Sequence, residues 1–150
     1  MDAAHIHLML NHVPVLGTVF ALLVLGYGLA RRSQDVIRTG LWTLVVVGVA
    51  SGVVYLTGEP AEELVEGLQG FSHAILERHE AAALWATLGA AVVGVVALGG
   101  VLLYRAREIP RRYAVAVGLL TLALTGVMGW TANLGGQVMH AEIRPGGAAA

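Results

Sequence analysis

The sequence predicts an all-α fold: an integral membrane four-helix bundle with a short amphipathic surface helix between spans two and three. Three observations lead there. Hydrophobic residues make up 57% of the chain and charged residues 13%, about half the charged share of a soluble domain. Four uncharged stretches, Leu8–Ala30, Gly40–Gly58, Ala81–Tyr104 and Tyr113–Met139, each approach the roughly 20 residues that cross a hydrocarbon core. The charges between them segregate by sign. Backbone in lipid must satisfy its own polar groups, which leaves helices or closed barrels. Barrel strands alternate polar and apolar, whereas Leu44-Val45-Val46-Val47 is apolar on both faces. Helices are therefore expected, in a single four-span domain over residues 1–150.

Span one carries Pro14 early, where a helix tolerates the missing N–H, so His5–His12 is expected as a first turn or a short helix bent at Pro14. Asp2 replaces a basic leader and arginines follow the span, so this reads as a true span rather than a cleavable signal peptide. Span two stops at Thr57-Gly58-Glu59-Pro60. Over Ala61–Leu68, Leu64 and Leu68 share one face while Glu62, Glu63 and Glu66 lie elsewhere, the pattern of a helix lying on the membrane surface. Gly70 ends it and Ser72 is placed to cap the third long helix, which runs past Tyr104. The fourth begins near Pro110 and runs toward His140. Ser51 and Thr57 read as helix-packing hydroxyls, and Trp130 as part of an interfacial aromatic belt.

Arg31, Arg32 and Arg38 lie between spans one and two, and Arg105, Arg107, Arg111 and Arg112 between spans three and four. The opposite end has only Arg78 and Arg144, with Asp2, Glu59, Glu62, Glu63, Glu66, Glu77, Glu80 and Glu142. The positive-inside rule then places both termini and the middle connection in the periplasm of a bacterial inner membrane. With no cysteine, the chain has no disulfides, thiolate ligands or c-type haem attachment. A net charge of −1, with basic residues confined to loops, gives nucleic acid no surface, and no nucleophile–base pair suggests hydrolysis or group transfer.

All six histidines, His5, His7, His12, His73, His79 and His140, fall at the acidic end. Imidazole ligates both haem iron and divalent ions. His12 sits at the membrane edge of helix one. His79 is aligned with Ile75, Ala82 and Ala86 and faces apolar surroundings, which makes it the leading candidate. Glu80 is placed to orient a neighbouring ligand. His140 follows Gly136 by one turn, where a small residue leaves room for a flat macrocycle. His7 reads as solvated, and His73 shares a solvated stripe with Glu77 and Glu80.

The segments His12-x-Pro14, Thr57-Gly58-Glu59-Pro60-Ala61-Glu62-Glu63, Arg78-His79-Glu80 and Leu134-Gly135-Gly136-Gln137-Val138 resemble the family listed as domain of unknown function 2231, small multi-span bacterial membrane proteins. The resemblance implies a helix-one histidine at His12 and a His-Glu pair at His79 and Glu80. The end departs from the pattern: Gly-Gly-x-Leu-Val-Tyr is replaced by Gly135-Gly136-Gln137-Val138-Met139-His140, so His140 gains nothing from it. The family name implies no activity.

Three functions compete at this level. The first is a b-type haem protein carrying electrons near the periplasmic face, with cofactor residues His12, His79, His140 and Gly136, propionates reaching toward Arg78 and Arg144, and a periplasmic redox partner. The second is a Zn or Cu site built from His12, His79, His140 and Glu80. The third is a non-catalytic subunit of a larger membrane complex.

Overall fold

The computed structural model describes residues 2–145. These form α1 (Ala3–Leu10), α2 (His12–Arg31), α3 (Gln34–Leu56), α4 (Gly58–Val65), α5 (His73–Leu103), α6 (Arg111–Met139) and a closing 3-10 turn, Ala141–Ile143. Helices α2, α3, α5 and α6 run up and down as a ring. Each packs on the next and α6 closes back on α2. Four segments are long and apolar enough to cross a membrane, and the protein is a multi-pass helical bundle in contact with lipid. The 31 residues of α5 give about 46 Å of helix, longer than a hydrocarbon core of about 30 Å is thick.

The buried positions set the packing mode. In α2 they are Pro14, Thr18, Ala21, Leu25 and Gly28, and in α6 Ala114, Val117, Thr121, Leu124, Met128 and Thr131. Both series alternate steps of three and four, the seam of a bundle with shallow crossing angles. Small residues dominate the centre, with Ala21, Ala97 and Ala114 fully buried. Large ones face outward, as with Leu23 at 67%, Val49 at 67%, Val95 at 70% and Leu119 at 63% exposure. That distribution suits a lipid solvent, in which burying a leucine gains little and close backbone approach gains much. Where α3 crosses α5, a Cβ on Gly48 would lie 3.0 Å from the Ala90 carbonyl oxygen and 3.4 Å from the Gly94 Cα. Trp42 and Tyr27 are exposed toward the arginine end, and Trp85 and Trp130 toward the histidine end, as aromatic belts require.

The arginine end is latched by side chains from α3. Gln34 Nε2 donates to the Ile109 carbonyl at 3.4 Å, and the Ile109 N–H donates to Gln34 Oε1 at 2.9 Å. Arg38 donates to the carbonyls of Tyr104 at 2.8 Å and Arg107 at 2.7 Å. A guanidinium thus neutralises the negative end of α5 while fixing the following loop.

At the other end the chain breaks at Asn11, between α1 and α2. Pro14 has no N–H for the Leu10 carbonyl four residues back, so the helix cannot continue unbroken there. Asp2 caps α1, its carboxylate accepting the His5 N–H at 2.9 Å, and that bond holds its pKa below the usual carboxylate range. The surface helix α4 begins three residues before the expected Ala61. Pro60 sits in its first turn, where no bond is lost. Ala61 is its buried residue, while Leu64 and Leu68 stay exposed beside a shallow groove against α1. Gly70, at φ +94°, turns the chain back toward α5. Ser72 takes the cap position as expected but makes no side-chain cap bond.

Candidate functional site

The histidine end brings together two side chains that face the bundle. His79, on the second turn of α5, is half-buried, and its Nδ1 lies 3.0 Å from the Thr131 carbonyl of α6. A carbonyl only accepts, so Nδ1 carries the proton and Nε2 keeps its lone pair. Gly135 makes this seat possible, because a Cβ there would stand 3.0 Å from His79 Cε1. His7, on α1, is also half-buried, with Nδ1 2.9 Å from the Thr57 hydroxyl at the end of α3. Thr57 spends its own proton on the Val54 carbonyl at 2.7 Å and can only accept from His7. His7 therefore takes the same tautomer, again with Nε2 bare. The two rings lie at the same end of the bundle, one on α1 and the other on α5.

Both imidazoles are thus anchored through Nδ1–H to an oxygen, the arrangement that fixes the orientation of ligating histidines and raises their basicity. Reading His7 as solvated missed this. Its signal lay in the phase of helix one. Continuing the buried series Leu25, Ala21, Thr18, Pro14 upstream by alternating steps leads to Asn11 and then His7.

The remaining site candidates lie elsewhere. His12 is exposed and turns its Nδ1 onto the Leu8 carbonyl at 2.7 Å, so it does not face His79 across the bundle. The expected His12–His79 pair is corrected by that phase. His140 lies just past α6 with its side chain 62% exposed, 2.8 Å from Glu142. The His140 ring and the backbone N–H of Glu142 hold that carboxyl below its usual range. Beside Gly136 lies the end of the Ile143 side chain, 3.4 Å from where a Cβ on Gly136 would stand. Glu80 is exposed beside Glu62 on α4. No three metal-ligating side chains gather among the described residues, so His12, His79, His140 and Glu80 form no ion cluster. His73 is exposed and pairs with Glu66 at 3.4 Å, in keeping with its solvated stripe.

Arg144 is committed as well. It donates to the carbonyls of Gln137 at 2.8 Å, Val138 at 2.8 Å and Gly70 at 2.5 Å, capping α6 and strapping the α4–α5 loop to the chain end. It is held by these carbonyls rather than standing free for a propionate. Nearby, Gln137 is buried and donates to Asn133 at 2.6 Å. Buried Ser51 donates to Val47 at 2.9 Å, a hydroxyl satisfied within its own helix.

No family model, curated protein or solved structure matches the chain. The likeness to domain of unknown function 2231 therefore rests on its short motifs alone.

Proposed function

We propose that the protein is a membrane-embedded b-type haem carrier of electrons, with His7 and His79 as the axial pair. One observation carries this reading. Two half-buried imidazoles from different helices sit at one end of the bundle, each pinned through Nδ1 with Nε2 bare. Two imidazoles are a complete axial set for haem iron, whereas Zn takes three or four ligands, and no group of three metal-ligating side chains forms among the described residues. Bound there, haem supplies one-electron transfer. The chain's own contribution is to orient both rings, through Thr57 and Thr131, and to leave an acidic surface around them. That surface, with eight carboxylates against Arg78 and Arg144, favours a basic periplasmic redox partner by charge complementarity. The family resemblance adds the His79-Glu80 motif and no activity.

Protein purified from cells supplied with haem precursor should show a sharp reduced α-band in reduced-minus-oxidised spectra. A colourless protein holding stoichiometric zinc or copper would replace the haem reading with the ion-binding one. A protein holding neither would leave the structural-subunit reading.

The proposal also sets the histidine end, with both termini, on the periplasmic side of a bacterial inner membrane, because seven of nine arginines lie in the other two loops. In intact cells an impermeant thiol reagent should label Asp2→Cys and Glu63→Cys and spare Glu108→Cys. The reverse pattern would invert the topology.

A further inference from the structure

We infer that the arginine end carries a binding site for an anionic phospholipid, one acyl chain lying in a groove between α2 and α6 and the headgroup held by the arginines at its mouth. The groove, about 240 Å³, is lined by Leu22, Leu25, Gly26 and Leu29 of α2 and by Val115, Gly118, Leu119 and Leu122 of α6. It exists because of two glycines. A Cβ on Gly26 or Gly118 would meet nothing within 4 Å. Leu22 to Leu29 is about 10 Å of helix, most of one leaflet of about 15 Å, so the slot has the length and the wholly apolar lining of an acyl-chain seat.

The antiparallel register then decides the headgroup. With α2 running toward the arginine end and α6 away from it, Leu29 and Val115 are the lining residues nearest that end, and Leu22 and Leu122 the farthest from it. One turn beyond Leu29 is Arg32, and one turn before Val115 are Arg111 and Arg112, with Arg31 adjacent. All four arginines are exposed, and none enters an ion pair among the described residues. Arg38 and Arg144, by contrast, are occupied by backbone carbonyls. The first turn of α6 adds the N–H groups of Arg111 and Arg112, those of Tyr113 and Ala114 being taken by the Pro110 carbonyl, and helix-start N–H groups favour a phosphate. An apolar slot ending in free cations at the membrane surface matches a lipid with a negative headgroup better than a zwitterionic one. A second copy of this chain would bring its own arginines against these. The inference is independent of the histidine site.

Delipidated protein in neutral detergent, titrated with phosphatidylglycerol and with phosphatidylcholine of the same chains, tests it by native mass spectrometry. Phosphatidylglycerol should bind more tightly. Each of Arg32→Gln and Arg112→Gln should weaken it by about fivefold while leaving phosphatidylcholine unchanged. Gly118→Leu, which fills open space and should leave the fold intact, should remove the tight phosphatidylglycerol adduct. Equal binding of the two lipids, or a preference untouched by all three substitutions, would overturn the inference. A dimer of the protein abolished by Gly118→Leu would do so too, by giving the groove to a second copy.

Discussion

Adding a single methyl group at Gly28 should destabilise the bundle, whereas the same change two residues earlier should not. A Cβ on Gly28 would lie 2.9 Å from the backbone nitrogen of Ile37, 3.0 Å from its Cγ1 and 3.2 Å from the Val36 carbonyl carbon. Two of these atoms belong to the α3 backbone and cannot swing aside. The Gly28 carbonyl also accepts the Ser33 N–H at 3.0 Å, so the tight α2–α3 turn is built on this residue. Overpacking of this kind costs roughly 1–3 kcal/mol, and Gly28→Val should sit at or beyond the upper end. Gly26 has nothing within 4 Å, and Gly26→Ala removes backbone freedom from a helix interior, a gain of roughly 0.5–1 kcal/mol in water-exposed helices. Thermal unfolding in one detergent should place Gly28→Ala well below, and Gly26→Ala at or above, the parent. Equal melting of all three would mean that α2 and α3 do not approach as closely as described.

His79→Ala should remove the haem signal entirely, while His73→Ala leaves it intact. The first substitution deletes one imidazole of the pair and releases the Thr131 carbonyl. The second touches only an exposed ring paired with Glu66. Gly135→Ala is the finer probe. Its Cβ would press on the His79 ring at 3.0 Å, so the helix stays while the ring tilts. The expected result is a retained but shifted α-band and a changed reduction potential. Circular dichroism on each variant separates loss of ligand from loss of fold. Retention of a normal band in His79→Ala, with helicity preserved, would remove His79 from the site.

The four spans were legible because lipid imposes a coarse and local requirement, a length of apolar chain, and the long helices cover those stretches, although α5 stops at Leu103 instead of running past Tyr104. The surface helix was legible for the same reason, although it ends at Val65 and leaves Leu68 outside it. Its start was not, because a helix can begin ahead of Pro60 as easily as after it. Which histidines face the bundle was only half legible. His79 followed from its neighbours Ile75, Ala82 and Ala86, which belong to one continuous helix and fix its phase. His12 was misplaced because facing the bundle is decided by the register with Thr18 and Ala21 rather than by closeness to Pro14. His140 and Gly136 failed for a reason no helix period contains. The chain leaves α6 at His140, folds into a 3-10 turn, and lays Ile143 beside Gly136. The Arg144 strap to Gly70 is equally nonlocal, joining residues 74 apart in sequence.

Whether the histidine end is a His7–His79 site is tested most directly by comparing His7→Ala with His12→Ala in one preparation. Both residues lie on the first helical segments of the chain, five positions apart, and both offer a bare Nε2. Only His7 turns inward, against Thr57, while His12 bends back onto Leu8 in solvent. Reduced-minus-oxidised spectra with pigment quantified per protein should show His7→Ala stripped of haem, as His79→Ala is, and His12→Ala carrying the parental amount. A full haem complement in His7→Ala, with the pigment lost instead in His12→Ala, would contradict the pairing of His7 with His79.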